Sequence, residues 1–130
     1  LIYCNLAPVV WYSKRQNTVE TSTFGSEFIA LKIATELVES LMYKLRMFGV
    51  PIRGQARVFC DNQSVVTSST YPESSLKKKH CSVAYHKIRE AVAANKILIY
   101  YERTDTNIAD LFTKVLPIHK RIGLIQSILS

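Results

Sequence analysis

The residues of this chain best placed to do chemistry are three isolated acids among apolar neighbours. Asp61 directly follows the β-prone run Arg57-Val58-Phe59-Cys60 and precedes Asn62, Gln63 and the helix-compatible Ser64-Val65-Val66. A buried strand ending this way delivers a carboxylate to its C-terminal edge, where open α/β sheets bind ligands. The competing role for Asp61 is to cap the following helix, its oxygen accepting the first-turn N–H groups. Glu27 falls between Phe24 and Leu31 at about 100° per residue, near the apolar face of a long helical pattern. A first-turn carboxylate is also favoured by the helix dipole, so a structural role competes there too. Asp110 lies one turn inside its own helical segment beside Ile108, Leu111 and Phe112, where a site role and a helix-surface role both stay open.

The elements that must position these acids follow from periodicity and punctuation. Leu1–Leu6 and Val9–Ser13 are strand candidates, with Ala7-Pro8 between them, and Asn5 just before, as the expected turn of a hairpin. Phe24, Phe28, Leu31, Ala34, Val38, Leu41, Leu45 and Phe48 recur at three- and four-residue steps and predict one long helix. Ser22 or Thr23 suits its cap, and Gly49-Val50-Pro51 stops it. After the strand at 57–60 comes a short helix ending near Ser68-Ser69-Thr70, then a loop over Tyr71–Ser75. A helix over Ser82–Ala94, a strand at Ile97–Tyr101 and a helix over Ile108–Lys114 follow. Pro117 ends that helix, and Ile118–Leu129 is one further amphipathic segment, a C-terminal helical extension over 117–130.

Composition narrows the class. The chain has 130 residues, room for one domain with a modest core, and its 48% hydrophobic and 21% charged residues are those of a folded protein rather than a disordered one. No apolar run approaches the roughly 18 residues of a membrane span, and the first residues do not form a signal peptide. Cys4, Cys60 and Cys81 form no CxxC pair and no zinc-ligand spacing; Cys4 and Cys60 read as reduced core residues of an intracellular protein. His80 and His86 have no acidic or cysteine companions at metal spacing. A net charge of +7 favours a polyanionic partner. Lys14 and Arg15, and the run Lys77-Lys78-Lys79 before a helix start, are either solvated cations or phosphate contacts.

Taken together, five stretches resemble the ribonuclease H domain of copia-type (Pseudoviridae-like) LTR retrotransposon Pol polyproteins. They are Val10–Gln16, Ser22-Thr23 through Ser26–Leu31, Cys60–Ser64, Lys79-His80 through Tyr85–Glu90, and Asn107–Lys114, in the family's order across nearly the whole chain. The resemblance implies a ribonuclease H-like α/β fold, a mixed sheet flanked by helices. It also implies hydrolysis of the RNA strand of RNA–DNA hybrids with two Mg²⁺ (or Mn²⁺) ions. Glu27, Asp61 and Asp110 fall on the family's catalytic, metal-binding acids, and hard carboxylate oxygens suit Mg²⁺. Lys14, Arg15, Asn62, Gln63, Lys77, Lys78, Lys79 and His80 are the expected nucleic-acid contacts. The implied partners are the hybrid and the rest of a Pol polyprotein, with a reverse transcriptase upstream. The implied setting is a cytoplasmic virus-like particle or the nucleus.

The family's fourth carboxylate, an Asp on its first strand, falls upstream of Leu1. The expectation is therefore an N-terminally truncated domain lacking the first, central strand, which pairs with the hairpin on one side and the Asp61 strand on the other. That departure opens a second reading, a catalytically inactive nucleic-acid-binding or assembly module on the same fold. A third, a small basic α/β protein with no nucleic-acid role, predicts no salt-dependent hybrid binding.

Overall fold

A computed structural model describes residues 1–16, 22–73 and 81–129. It is an α/β chain that divides into two compact units, Thr18–Tyr101 and the pairing of Leu1–Asn17 with Glu102–Ser130. No helix among the described residues is long and apolar enough to cross a membrane.

The larger unit is built on a parallel strand pair. β3 (Ala56–Cys60) and β4 (Ile97–Tyr101) run in register from Ala56 opposite Ile97 to Cys60 opposite Tyr101. Parallel neighbours need a long crossover, and α2 (Gln63–Thr70) with α3 (Ser82–Ala93) lies between them in sequence. Alternation turns Val58, Cys60, Ile97 and Ile99 into the core and leaves Arg57, Phe59, Leu98 and Tyr100 exposed. On the exposed side the Phe59 and Tyr100 rings stack at 5.7 Å.

α1 (Thr23–Met47) buries Gly25, Phe28, Leu31 and Thr35, a stripe at helical spacing. Ser22 is its cap, the side-chain oxygen accepting from the Gly25 N–H. Its end is a Schellman arrangement: Gly49, at φ 76°, donates to the Arg46 carbonyl and Val50 to that of Leu45. Inside the helix, buried Thr35 returns its hydroxyl to the Leu31 carbonyl at 2.8 Å, so its burial leaves no donor unmet. Phe28 joins Val58, Cys60, Tyr85 and Ile88 in one core.

Two polar clusters tie the unit together. Arg89 donates to the Tyr71 and Pro72 carbonyls and to the Tyr85 hydroxyl at 2.8–3.0 Å, holding the end of α2 to α3. Its guanidinium also lies 5.0 Å from the Tyr85 ring centre. Glu39 on α1 takes Lys87 of α3 at 2.8 Å and Lys96 at 2.9 Å. The Lys87 bond leads in holding the Glu39 carboxyl below its ordinary value, with Lys96 assisting against partial burial.

The smaller unit begins with a hairpin, β1 (Ile2–Cys4) against β2 (Ala7–Val10). Its turn is Asn5-Leu6, at φ 49° and 68°; Asn5 belongs to it as expected, whereas Ala7-Pro8 lies in β2. Two-residue hairpin turns need left-handed conformations, which Asn tolerates, whereas proline's fixed φ suits an edge strand. Ile108–Phe112 forms a 3-10 helix, tighter and shorter than the expected α-helix over 108–114; Asn107 caps it by accepting from the Ala109 N–H. The Ser13 hydroxyl donates to the Phe112 carbonyl at 2.8 Å, and α4 (Ile118–Leu129) completes the unit around buried Leu124. The described strands thus form two two-stranded sheets rather than one mixed sheet; no described strand pairs with the outer edges of β3 and β4.

Arg89→Met is expected to lower the unfolding free energy by about 2 kcal/mol, since it strips charged donors from carbonyls that remain in place; urea denaturation reads it. Glu39→Ala is expected to cost less than about 1 kcal/mol at neutral pH, the two-lysine cluster being partly solvated. Because the Glu39 pKa is lowered on folding, its contribution is present above the unfolded value and lost as pH falls through the folded one. The wild-type and variant unfolding curves should therefore converge in acid.

Candidate metal centre

Glu27 sits in the fifth position of α1, one turn beyond the cap, so the first-turn dipole role foreseen for it does not apply: the first turn holds no acid. Burial of neighbouring Phe28 anchors this turn of helix in the core and leaves Glu27 half-buried at its margin. Asp61 is the first residue beyond β3, also half-buried. Capping of α2 falls instead to Asn62, whose Oδ1 accepts from the N–H groups of Ser64 at 3.1 Å and Val65 at 3.3 Å. Asp61 therefore is not the cap of α2.

One carboxylate oxygen each from Glu27 and Asp61, and the Cys60 sulfur, all lie within 4.8 Å of one another. Cys60 is buried, and its thiol approaches the Asn62 carbonyl at 4.0 Å. Burial pushes the Cys60 thiol up to about 11; the Asn62 carbonyl contact opposes this, and the negative fields of Glu27 and Asp61 add to it. Two carboxylates held this close repel unless a cation lies between them. Mg²⁺ takes one or two carboxylates and completes its shell with water and phosphate, which this pair can accommodate.

Asp110 belongs to the smaller unit. It is 3% exposed, which sets aside a helix-surface role. Its Oδ1 lies 2.9 Å from the Lys114 ammonium, four residues on, while its Oδ2 is buried and accepts no hydrogen bond from the described residues. An orphaned carboxylate oxygen costs folding free energy and calls for a ligand or another explanation. Its donor chemistry fits a hard cation. Lys14 and Arg15 are exposed after the hairpin, Asn62 is committed to its cap, and Gln63 opens α2 on the surface. Lys77, Lys78, Lys79 and His80 lie outside the described residues. Sequence reading treated Cys60 only as a small core residue. Period-two alternation from buried Val58 was the signal that it faces the side on which α1 packs. Lys114 was missed as well, although the four-residue step from Asp110 marked it.

The chain is 34% identical over 114 residues, 86% of its length, to the retrovirus-related Pol polyprotein from transposon TNT 1-94 of Nicotiana tabacum. It is 24% identical over 97% of its length to that from transposon RE2 of Arabidopsis thaliana. A further match, 28% over 75%, is the truncated transposon Ty1-A Gag-Pol polyprotein of Saccharomyces cerevisiae. Its homologues are retrotransposon Pol polyproteins. The chain spans 8%, 9% and 8% of these three, so it corresponds to a small part of each Pol polyprotein. No family model and no solved structure matches it.

The response to a divalent ion gives a direct check on the centre. Asp61→Asn should abolish the rise in Tm that Mn²⁺ produces in the wild type. An intact Mn²⁺ response in the variant would remove Asp61 from any metal site.

Proposed function

We propose that this chain is the ribonuclease H-type endonuclease domain of a retrotransposon Pol polyprotein, with a ribonuclease H-like fold, hydrolysing the RNA strand of RNA–DNA hybrids. The observation that carries the reading is the convergence of Glu27 and Asp61 at the C-terminal end of β3 in a relative of Pol polyproteins. Polar residues at that end of a strand are where α/β proteins place ligand sites. Clustered acids in partly buried surroundings are a recurrent mark of such sites.

In this reading Glu27 and Asp61 bind and orient divalent ions, with Asp110 as the further carboxylate that the resemblance assigns to the same work. Mg²⁺ or Mn²⁺, when bound, would activate the attacking water and steady the leaving 3′ oxygen. The core side chains behind the pair, Phe28 and Val58 among them, limit the movement of α1 against β3 and so fix where the two carboxylates stand. The excess of cations supplies backbone attraction, with Lys14, Arg15, Lys77, Lys78, Lys79 and His80 as the proposed contacts and Gln63 beside the acids. Discrimination of RNA from DNA would rest on the 2′-hydroxyl, with little sequence preference.

The test is a labelled RNA–DNA hybrid incubated with the chain in Mg²⁺ and again in EDTA, beside a longer piece of the same polyprotein. Cleavage is expected in Mg²⁺ only. Glu27→Gln, Asp61→Asn and Asp110→Asn are each expected to lower it by about 10²-fold or more while hybrid binding persists. Hybrid binding should weaken steeply with salt. Salt-dependent binding without cleavage by either length would instead identify an inactive nucleic-acid-binding or assembly module.

A further inference from the structure

The carboxylate pair of the proposed centre does not stand alone: a buried thiol shares its space. We infer that Cys60 makes the Glu27–Asp61 pair a mixed oxygen–sulfur site that takes a thiophilic divalent cation, Zn²⁺ or Cd²⁺ in kind, in competition with Mg²⁺. The inference rests on the reading that Glu27 and Asp61 hold a divalent ion, and it names a regulator of that centre.

The geometry supports it in three ways. First, the sulfur and the two carboxylate oxygens come from both sides of the α1–β3 contact and fall within 4.8 Å of one another. Bond lengths of about 2.3 Å to sulfur and 2.0–2.2 Å to oxygen require donors somewhat closer than this. The rotatable Glu27 side chain can supply the difference. Second, the thiol is only weakly engaged, its approach to the Asn62 carbonyl being 4.0 Å. Third, Cys60 is 7% exposed while both acids are half-buried, so the cluster runs from the core toward the surface. An ion bonded to all three would lie against apolar core on one side and solvent on the other.

Donor softness decides which ions gain. Mg²⁺ draws nothing from sulfur, whereas Zn²⁺ and Cd²⁺ bond thiolate strongly. Binding breaks the S–H bond, forms a metal–sulfur bond and releases the proton to solvent, with no change in oxidation state. A thiophilic ion would therefore occupy the carboxylates that Mg²⁺ needs.

The test titrates CdCl₂ into the full chain carrying Cys4→Ser and Cys81→Ala, so that Cys60 is the remaining thiol, and into the otherwise wild-type chain with and without Cys60→Ser. Thiolate-to-cadmium charge transfer in the ultraviolet is the readout, with circular dichroism confirming that each variant folds. One Cd²⁺ per chain should produce the band, and excess Mn²⁺ should displace it. Loss of outer-shell partners alone costs roughly 10–100-fold in affinity. The ratio of Cd²⁺ to Mn²⁺ affinity should therefore fall at least about tenfold in Cys60→Ser. Absence of a Cys60-dependent band, or a band whose Cd²⁺ affinity is unchanged by Glu27→Gln and Asp61→Asn, would overturn the inference. Mg²⁺-dependent cleavage without that band would sink the thiophilic site and leave the nuclease reading standing; the band without cleavage would do the reverse.

Discussion

Burial of Phe28 is the contact on which the larger unit depends. Its side chain is wholly buried and shares a core with Val58 and Cys60 of β3 and with Ile97 and Ile99 of β4. Tyr85 approaches it from α3 at a ring separation of 6.1 Å, and Phe24 from its own helix at 5.2 Å. A ring of that size, once enclosed, allows α1 almost no rotation or slide, because close-packed interiors have no spare volume. Glu27 is its immediate neighbour, so the placement of one carboxylate is a by-product of packing. The second carboxylate is placed by the strand that the same ring covers.

This coupling means that the candidate centre and the core are one construction. The two acids and the thiol stand at close range because apolar contacts behind them hold α1 against β3. In the smaller unit Asp110 has one oxygen satisfied by Lys114 and the other buried without a hydrogen-bond partner among the described residues. Elsewhere polar groups are well served: Thr35 and Ser69 return hydroxyls to their own helices, Asn62 and Asn107 cap theirs, and Arg89 gathers several acceptors. Among the described residues the one buried side-chain oxygen left without a hydrogen bond belongs to Asp110, an acid that the Pol resemblance singles out. That contrast separates it from the surface charges, such as Arg103 with Asp105, which are fully accounted for by solvated pairing.

Relation to Pol polyproteins gives the arrangement a context without specifying its chemistry. The chain matches a small part of each relative, and the match spans both the Glu27–Asp61 unit and the residues around Asp110. The basic excess suits attachment to a nucleic-acid backbone, a long-range attraction that needs no fixed pairing geometry.

The sequence by itself determined the order and type of most elements: the long helix, the strands ending at Cys60 and Tyr101, and the last helix were all legible. Their signals are local, since periodicity, a serine cap and the Gly-Val-Pro stop act within a few residues. It also marked Glu27, Asp61 and Asp110 as acids out of keeping with their apolar neighbours. Local signals failed where two neighbouring residues compete for one task. Asn5-Leu6 rather than Ala7-Pro8 makes the hairpin turn because left-handed backbone is required there, and Asn62 rather than Asp61 caps α2 because its amide oxygen reaches the free N–H groups. Only the tertiary structure decided that Glu27, separated from Asp61 by more than one whole element, stands beside it, and that Cys60 shares the space. Such a meeting depends on how far α1 can close onto β3, which is set by the volumes buried between them and by no residue's own preference.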